Sequence, residues 1–182
     1  FTSLNSARSH HRRGSVDTAL IKSWAGWVFA GAVIGTALAG SVNGQVLRIV
    51  FATVAILVAI YMVATKPNFR LRDSFPTGAA KYGSGVLVGG LSAMMGIGGG
   101  TLCVPYFNAC GIPVHRSVGT AAAVGLIIAV PGTIGYVITG WNDPALPWAS
   151  VGFVNILGML LVTPFSVLTA PLGVKLAHFL TP

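Results

Sequence analysis

The chain has 182 residues, of which 54% are hydrophobic and 8% are charged, whereas soluble globular domains average about 25% charged residues. This deficit excludes an ordinary soluble domain and predicts an integral membrane protein. The net charge of +8 does not indicate nucleic-acid binding, because the basic residues flank apolar spans and leave no soluble domain to bind it.

Five windows of the chain contain no Lys, Arg, Asp or Glu. A helix needs about 20 apolar residues to cross the hydrocarbon core, and backbone groups in lipid must be paired within helices or closed barrels. The windows lack the alternating pattern of a barrel, so the sequence predicts an all-α polytopic bundle. The windows are 23–47, 49–65, 82–114, 117–142 and 144–174.

In chain order, residues 1–18 are expected to be the end of an earlier helix followed by a basic loop. Five transmembrane helices follow, and the third is interrupted at a glycine cluster. The segments are expected to be an end of a first half (1–64), a basic cytoplasmic linker (65–81) and a second half (82–182). The predicted helices cover about 19–40, 46–64, 82 onward, 117–140 and 149–178.

The Lys and Arg residues predict the orientation, because cytoplasmic loops carry the excess of basic residues. Simple alternation of spans places eight of them on one side and three on the other. The loop 141–148 would share the basic side although it has no basic residue, and a re-entrant segment at the glycine cluster would change this parity. The eight are Arg8, Arg12, Arg13, Lys22, Lys66, Arg70, Arg72 and Lys81, and the three are Arg48, Arg116 and Lys175.

A weak internal repeat relates the fifth predicted helix to the first. A shift of 138 positions superposes Asp17 on Asn155 and Gly35 on Gly173, which predicts two homologous halves of the kind found in many transporters. Because the chain begins with Phe1 and ends at Pro182 directly after an apolar span, we expect a fragment cut at both ends.

The stretch Gly96-Ile-Gly-Gly-Gly100, with Pro105 close behind, is the most informative. Each glycine costs about 1 kcal/mol in a helix interior and a proline about 3 kcal/mol, and irregular backbone in the bilayer persists only where it is buried or lines a cavity. The cluster therefore predicts a broken helix whose second half begins near Thr101 and aims its N–H groups at an anion.

Two other interpretations of the glycines were considered. They could simply let another helix approach closely, and this alternative stays open. A nucleotide-binding loop is excluded, because no G-K-[ST] follows and the spacing is not G-x-G-x-x-G. Cys103 and Cys110 are interpreted as small hydrophobic residues, since no CxxC or histidine cluster indicates a metal site.

The predicted substrate-binding residues are glycines and polar residues of the interrupted spans. Asn155 could equally be a hydrogen-bonding contact between helices. His115 and Arg116 are candidates for anion attraction or proton relay, with a solvated loop histidine and a topology-setting arginine as the alternatives. The substrate-binding set is Gly96, Gly98, Gly99, Gly100, Thr101, Pro105, Asn108, Gly119, Thr120 and Asn155.

These residues resemble the sulfite exporter TauE/SafE family of membrane transporters. The resemblance rests on the glycine cluster with Val104-Pro105, and on Gly119-Thr120, Pro131-Gly132, Gly135-Tyr136, Gly152-Phe-Val-Asn155 and Pro171-Leu-Gly173. It implies two homologous halves of about four helices, each with a glycine motif. Only the second motif is present here, and the first motif and the last helix are absent. Ala121 stands where many relatives have Ser.

The resemblance implies secondary transport of a small anion such as sulfite, an organosulfonate or a related sulfur-containing or carboxylate anion. We expect a multi-pass protein of the cell membrane, with lipid and a small anion as partners, a coupling ion possible, and no cofactor. The alternative is an intramembrane enzyme or a non-transporting membrane subunit. Neither H-E-x-x-H nor a pair of intramembrane acids appears in the chain to support an enzyme.

Overall fold

The computed structural model describes residues 2–12, 14–64, 71–72 and 74–179. Within them the chain forms seven helices and one two-stranded hairpin, which confirms the helical membrane fold. Four helices are long and apolar enough to cross a membrane. The elements are α1 (Thr2–Arg12), α2 (Thr18–Ser41), α3 (Gly44–Ala64), α4 (Gly78–Met94), α5 (Gly100–Ala109), α6 (Val114–Thr139), β1 (Ser150–Val151), β2 (Val154–Asn155) and α7 (Ile156–Phe179).

Three boundaries differ from the sequence-based expectation. The helix expected to end within residues 1–18 continues through the predicted basic loop as far as Arg12, because no glycine or proline interrupts the chain before Gly14. The linker expected to reach residue 81 ends earlier, since α4 begins at Gly78. Arg13, Lys66 and Arg70 lie outside the described residues.

The expected start of the last helix at Ala149 is wrong. Ser150 pairs with Asn155 and Val151 with Val154 in an antiparallel hairpin, and Gly152 adopts a φ of +55° in its turn. A tight turn of this kind needs a positive φ, which glycine supplies without strain. The helix α7 therefore begins only at Ile156.

Helices α2 and α4 lie side by side and run in the same direction. A Cβ atom on Gly31 would lie 2.7 Å from the Cα atom of Val86, and one on Gly35 would lie 2.7 Å from that of Gly90. Glycine is thus required at these crossings, as in other membrane bundles where small residues let backbones approach. Trp24 of α2 is fully buried and lies near the start of α4, where its Nε1 donates to Lys81 O at 3.0 Å.

The helix α5 turns back towards the face from which α4 started. The carbonyl of Ala109, at its end, accepts hydrogen bonds from the N–H groups of Leu71 and Arg72 at 2.9 and 3.0 Å, and these residues precede α4. Trp24 stacks on Tyr106 of α5 with ring centroids 5.8 Å apart. The third predicted span is therefore a re-entrant pair of helices, and the glycine cluster forms its tip.

Because the re-entrant pair returns to the face from which it started, each later segment lies on the side opposite to the one that a spanning third helix would give it. Helix α6 begins near Asp17, whose N–H donates to Thr120 Oγ1 at 3.0 Å, and it ends beside the end of α2, where Gly40 contacts Thr139. The loop 141–148 consequently lies on the face where α2 ends. Its lack of basic residues, which conflicted with simple alternation, fits this position.

We call the face where α2, α4 and α6 begin the basic face. Among the described side chains, five Lys and Arg residues lie near it and one lies near the opposite face. The earlier assignment of Arg116 to the less basic side is corrected, because it assumed that the third span crosses the membrane. The five are Arg8, Lys22, Arg72, Lys81 and Arg116, and the one is Arg48.

The two helices that the predicted repeat relates, α2 and α7, have similar lengths and similar caps. Both α2 and α7 have 24 residues. In each, the side chain of the residue before the helix accepts a hydrogen bond from the backbone N–H three residues later. Asp17 Oδ1 accepts from the N–H of Leu20 at 3.0 Å, and Asn155 Oδ1 accepts from the N–H of Gly158 at 2.7 Å. Helix α2 starts at the basic face and α7 at the opposite face, which is the relation expected of an inverted repeat; the repeat itself stays a prediction.

Candidate functional site

The chain is not helical between the end of α4 and the start of α5. Gly96, with a φ of +62°, donates its N–H to Ala93 O at 3.1 Å, and the N–H of Ile97 reaches Ser92 O at 3.1 Å. This pair of bonds is the Schellman arrangement that ends helices at a left-handed glycine. The next helix starts only at Gly100, so the tip leaves one helix C-terminus and one helix N-terminus close together.

The start of α5 borders a cavity of about 250 Å³, which we call the α5 cavity. The first N–H groups of a helix have no carbonyl partner within it, and together they carry about half a positive charge. Hydroxyl groups of α1 and small residues of α6 complete the wall, and none of the described residues that line it is charged. The lining residues are Ser3, Ser6, Gly98, Gly99, Gly100, Val104, Val118, Ala121, Ala122 and Gly125.

The end of α4 borders a second cavity of about 230 Å³, which we call the α4 cavity. Tyr136 Oη lies 2.8 Å from Ala93 O and 3.1 Å from Met94 O, so α6 caps the last carbonyls of α4. Gly98 and Gly125 line both cavities and form the wall between them. The lining residues are Ser92, Ala93, Gly96, Ile97, Gly98, Gly125, Ile128, Ala129, Gly132, Thr133, Tyr136 and Val154.

Four of the predicted substrate-binding residues come together at these cavities. Gly96 and Gly98 line the α4 cavity, and Gly98, Gly99 and Gly100 line the α5 cavity. The packing alternative also applies in part, because a Cβ atom on Gly99 would approach the Gly125 amide nitrogen to 3.0 Å. Close packing and a site are therefore two properties of the same tip.

Three predicted residues of α5 lie outside both cavities. Thr101 is exposed in the first turn. Pro105 lines a separate apolar cavity of about 280 Å³ between α3 and α5. Asn108 has a buried Oδ1 atom that accepts no hydrogen bond within the described residues. Of the described residues of α5, Gly100 and Val104 line the α5 cavity, together with the loop residues Gly98 and Gly99.

Gly119, Thr120 and Asn155 hold neighbouring segments in place. Thr120 is fully buried and binds the backbone of Asp17, while Gly119 packs against the carbonyl of Ser15. Asn155 caps α7 and donates to Trp148 O at 3.2 Å. Their contacts are those of connecting and capping residues, and none of the three lines either cavity.

His115 and Arg116 lie exposed at the start of α6, on the basic face. Arg116 Nη2 is 3.7 Å from Asp17 Oδ2, which links the starts of α6 and α2. Neither residue lines the two cavities, so any effect on an anion would act at the protein surface.

Several cavity residues were missed by sequence analysis. Ser3 and Ser6 sit on α1, which was expected to be a loop in part, and Gly125 lies seven residues before Gly132 on one side of α6. Ser92 and Tyr136 are polar residues within apolar spans, a signal that could have identified them. Among the described residues no three His, Cys, Asp or Glu side chains form a metal-binding group, and Cys103 and Cys110 are buried.

Comparison with known proteins agrees with this architecture. The sequence model of the family described as "Sulfite exporter TauE/SafE" matches residues 1–182. A "Probable membrane transporter protein" of Haemophilus influenzae is 26% identical over 94% of this chain and 65% of its own length. No solved structure matches the chain.

Two further relatives carry similar names. "Probable membrane transporter protein YdhB" of Bacillus subtilis is 28% identical over 100% of this chain and 76% of its own length. A probable membrane transporter protein of Methanocaldococcus jannaschii is 25% identical over 78% of this chain and 52% of its own length. The chain thus spans between about half and three quarters of each relative. With the family match over its whole length and its multi-pass helical fold, the chain belongs to the sulfite exporter TauE/SafE family.

Proposed function

We propose that this chain is part of a secondary transporter that carries a small anion across the cell membrane. The substrate class is sulfite, an organosulfonate or a related sulfur-containing or carboxylate anion. The observation that carries the proposal is the start of α5, which borders the α5 cavity inside the bundle. Family membership and the names of the relatives support it.

The α5 cavity suits an anion for electrostatic reasons. A helix N-terminus offers free N–H donors and a positive partial charge, and both gain strength in the low dielectric of a membrane interior. Gly99 and Gly100 have no side chains that would cover these donors. The hydroxyls of Ser3 and Ser6 add donors from the opposite wall. An anion can be held in this way without a buried lysine or arginine, which would be costly in lipid.

The opposite starting faces of α2 and α7 support an inverted repeat, and such a repeat would provide a route for transport. In transporters built from inverted repeats, the substrate lies near the bilayer midplane and the two repeats rock about it. Here α2 and α7 start on opposite faces of the bundle. The re-entrant tip joins the end of α4 to the start of α5 inside the bundle. The excess of basic side chains makes the basic face cytoplasmic by the positive-inside rule.

A flux assay tests the proposal. The full-length protein is reconstituted in liposomes loaded with labelled sulfite, taurine-like sulfonates or small carboxylates, and release is followed against protein-free liposomes. We expect release of at least one sulfur-containing anion. Absence of movement across the whole panel, in vesicles where the protein is shown to be inserted, would contradict the proposal.

A further inference from the structure

The α4 cavity has chemistry opposite to that of the α5 cavity. It borders the C-terminal end of a helix, where carbonyl oxygens concentrate about half a negative charge. Ser92, Thr133 and Tyr136 are the lining residues with side-chain hydroxyl groups. Within the part of the chain that the structure describes, no acidic or basic side chain lines it.

Ser92 is the clearest sign that something binds there. Its side chain is 1% exposed, yet its Oγ atom has no hydrogen-bond partner within the described residues. A buried hydroxyl left without a partner costs about 1–3 kcal/mol, so such groups generally mark an ion, a water molecule or a functional role. Ser92 lines the cavity, where a bound species can satisfy it.

The backbone donors at the end of α4 are already used. The N–H groups of Gly96 and Ile97 donate to the carbonyls of Ala93 and Ser92, and the single proton of Tyr136 Oη is donated to Ala93 O or shared with Met94 O. What remains free on the Tyr136 hydroxyl and on the carbonyls is lone pairs, and Ser92 Oγ offers lone pairs together with its own proton. A surplus of oxygen lone pairs favours a hard cation.

We propose that the α4 cavity binds Na⁺ through Ser92 Oγ, Tyr136 Oη and carbonyl oxygens at the end of α4. A monovalent ion fits because no carboxylate is present to balance a second charge. Backbone carbonyls and half-helix C-terminal ends hold coupling cations in other membrane transporters with broken helices. The volume of about 230 Å³ leaves room for water molecules that complete the coordination.

The site also predicts that cation and anion binding are coupled, and this part rests on the proposed function. Gly98 and Gly125 separate the two cavities, so a cation at the end of α4 and an anion at the start of α5 attract each other across a thin wall of backbone. Binding of either ion then raises the affinity for the other, since such coupling is reciprocal. The expected activity is cotransport of Na⁺ with the anion.

Cation binding is tested on the purified full-length protein without any transported anion. Thermal unfolding in detergent is followed in sodium, potassium and N-methylglucamine chloride at equal ionic strength. We expect Na⁺ alone to raise the unfolding temperature, with saturation. Ser92→Ala should weaken Na⁺ binding about tenfold, which corresponds to about 1.4 kcal/mol.

The control is Ser84→Ala, on the same helix. Ser84 Oγ donates to Lys81 O at 2.9 Å and lines neither cavity, so this variant should keep the Na⁺ response. Tyr136→Phe is a second variant that should lower Na⁺ affinity without removing the aromatic ring. The same stability of the parent protein in all three salts, or an unchanged Na⁺ response in Ser92→Ala and Tyr136→Phe, overturns the proposal in favour of a bound water.

Coupling is tested separately in liposomes. Anion exchange at equal concentrations on both sides and net uptake driven by a Na⁺ gradient are measured on the same preparation. We expect a Na⁺ gradient to drive uptake and potassium to fail. Exchange that proceeds without any Na⁺ requirement overturns the coupling while leaving the anion transporter in place. A Na⁺-specific shift with no movement of any anion supports the cation site and contradicts the proposed function.

Discussion

Gly99 at the re-entrant tip lies against Gly125 of α6, and a Cβ atom added to Gly99 would come within 3.0 Å of the Gly125 amide nitrogen. The two glycines bring the start of α5 close to a helix from the other side of the bundle. This contact places the free N–H groups of α5 beside the α5 cavity, because any larger residue would push the helices apart.

Gly99→Leu is expected to abolish anion flux while the protein still inserts. The leucine side chain would occupy the α5 cavity and displace α6, whereas the apolar spans that direct insertion are unchanged. Flux in liposomes and the amount of inserted protein give the measurement. Gly26→Leu is the matched control, since a Cβ atom there meets nothing within 4 Å. Equal flux in the two variants would contradict the assignment of the tip to the substrate site.

Tyr136→Phe is expected to destabilise the protein by about 1 kcal/mol, because it removes a hydrogen bond to the last carbonyls of α4. The free energy of unfolding in the absence of Na⁺ is the quantity to measure. Tyr82→Phe serves as the control, because Tyr82 is 43% exposed and its ring contact with Trp27 survives the change. A larger loss in the control than in Tyr136→Phe would contradict the capping role.

Asp17→Ala and Asn155→Ala are expected to cost similar amounts, about 1 kcal/mol each, because both remove an N-cap. Arg116→Gln should cost less. Its ion pair with Asp17 spans 3.7 Å and the arginine side chain is 56% exposed, and exposed pairs contribute about 0–1 kcal/mol. The free energies of unfolding of the three variants test this order of destabilisation. If Arg116→Gln were the most damaging, the ion pair and not the cap would join α2 to the bundle.

Cysteine labelling can establish the re-entrant path. In a background where Cys103 and Cys110 are replaced by alanine, Ser74→Cys and Ala145→Cys introduce single exposed thiols. We expect an impermeant maleimide to label them from opposite sides of sealed vesicles. A spanning third helix would place both on the same side, so labelling from one side only would disprove the fold of the α4–α5 pair.

The long spans could be predicted because each depends on local composition. Stretches without Lys, Arg, Asp or Glu are long enough to cross the bilayer, and this alone locates α2, α3, α6 and most of α7. The glycine cluster likewise predicts a break, since its cost in a helix is a local property. The all-α class and the family resemblance follow from these two signals.

The direction of α5 could not be predicted, because it depends on contacts between residues distant in sequence. The bonds from Leu71 and Arg72 to Ala109, and the stacking of Trp24 on Tyr106, decide that the chain turns back. The roles of Ser92 and Tyr136 likewise depend on their meeting across two helices. Thr120 and Asn155 look like binding residues in the sequence, but their partners are backbone groups of nearby turns.

The break at Gly96 to Gly99 has an electrical consequence. A continuous helix would show one pole at each membrane surface, whereas this interruption exposes a negative and a positive pole next to each other inside the bundle. One Na⁺ and one singly charged sulfonate would then move as a neutral pair. Moving one charge through 100 mV involves about 2.3 kcal/mol. An electroneutral cycle moves no net charge, so the membrane potential does no work on it and the two concentration gradients alone drive transport.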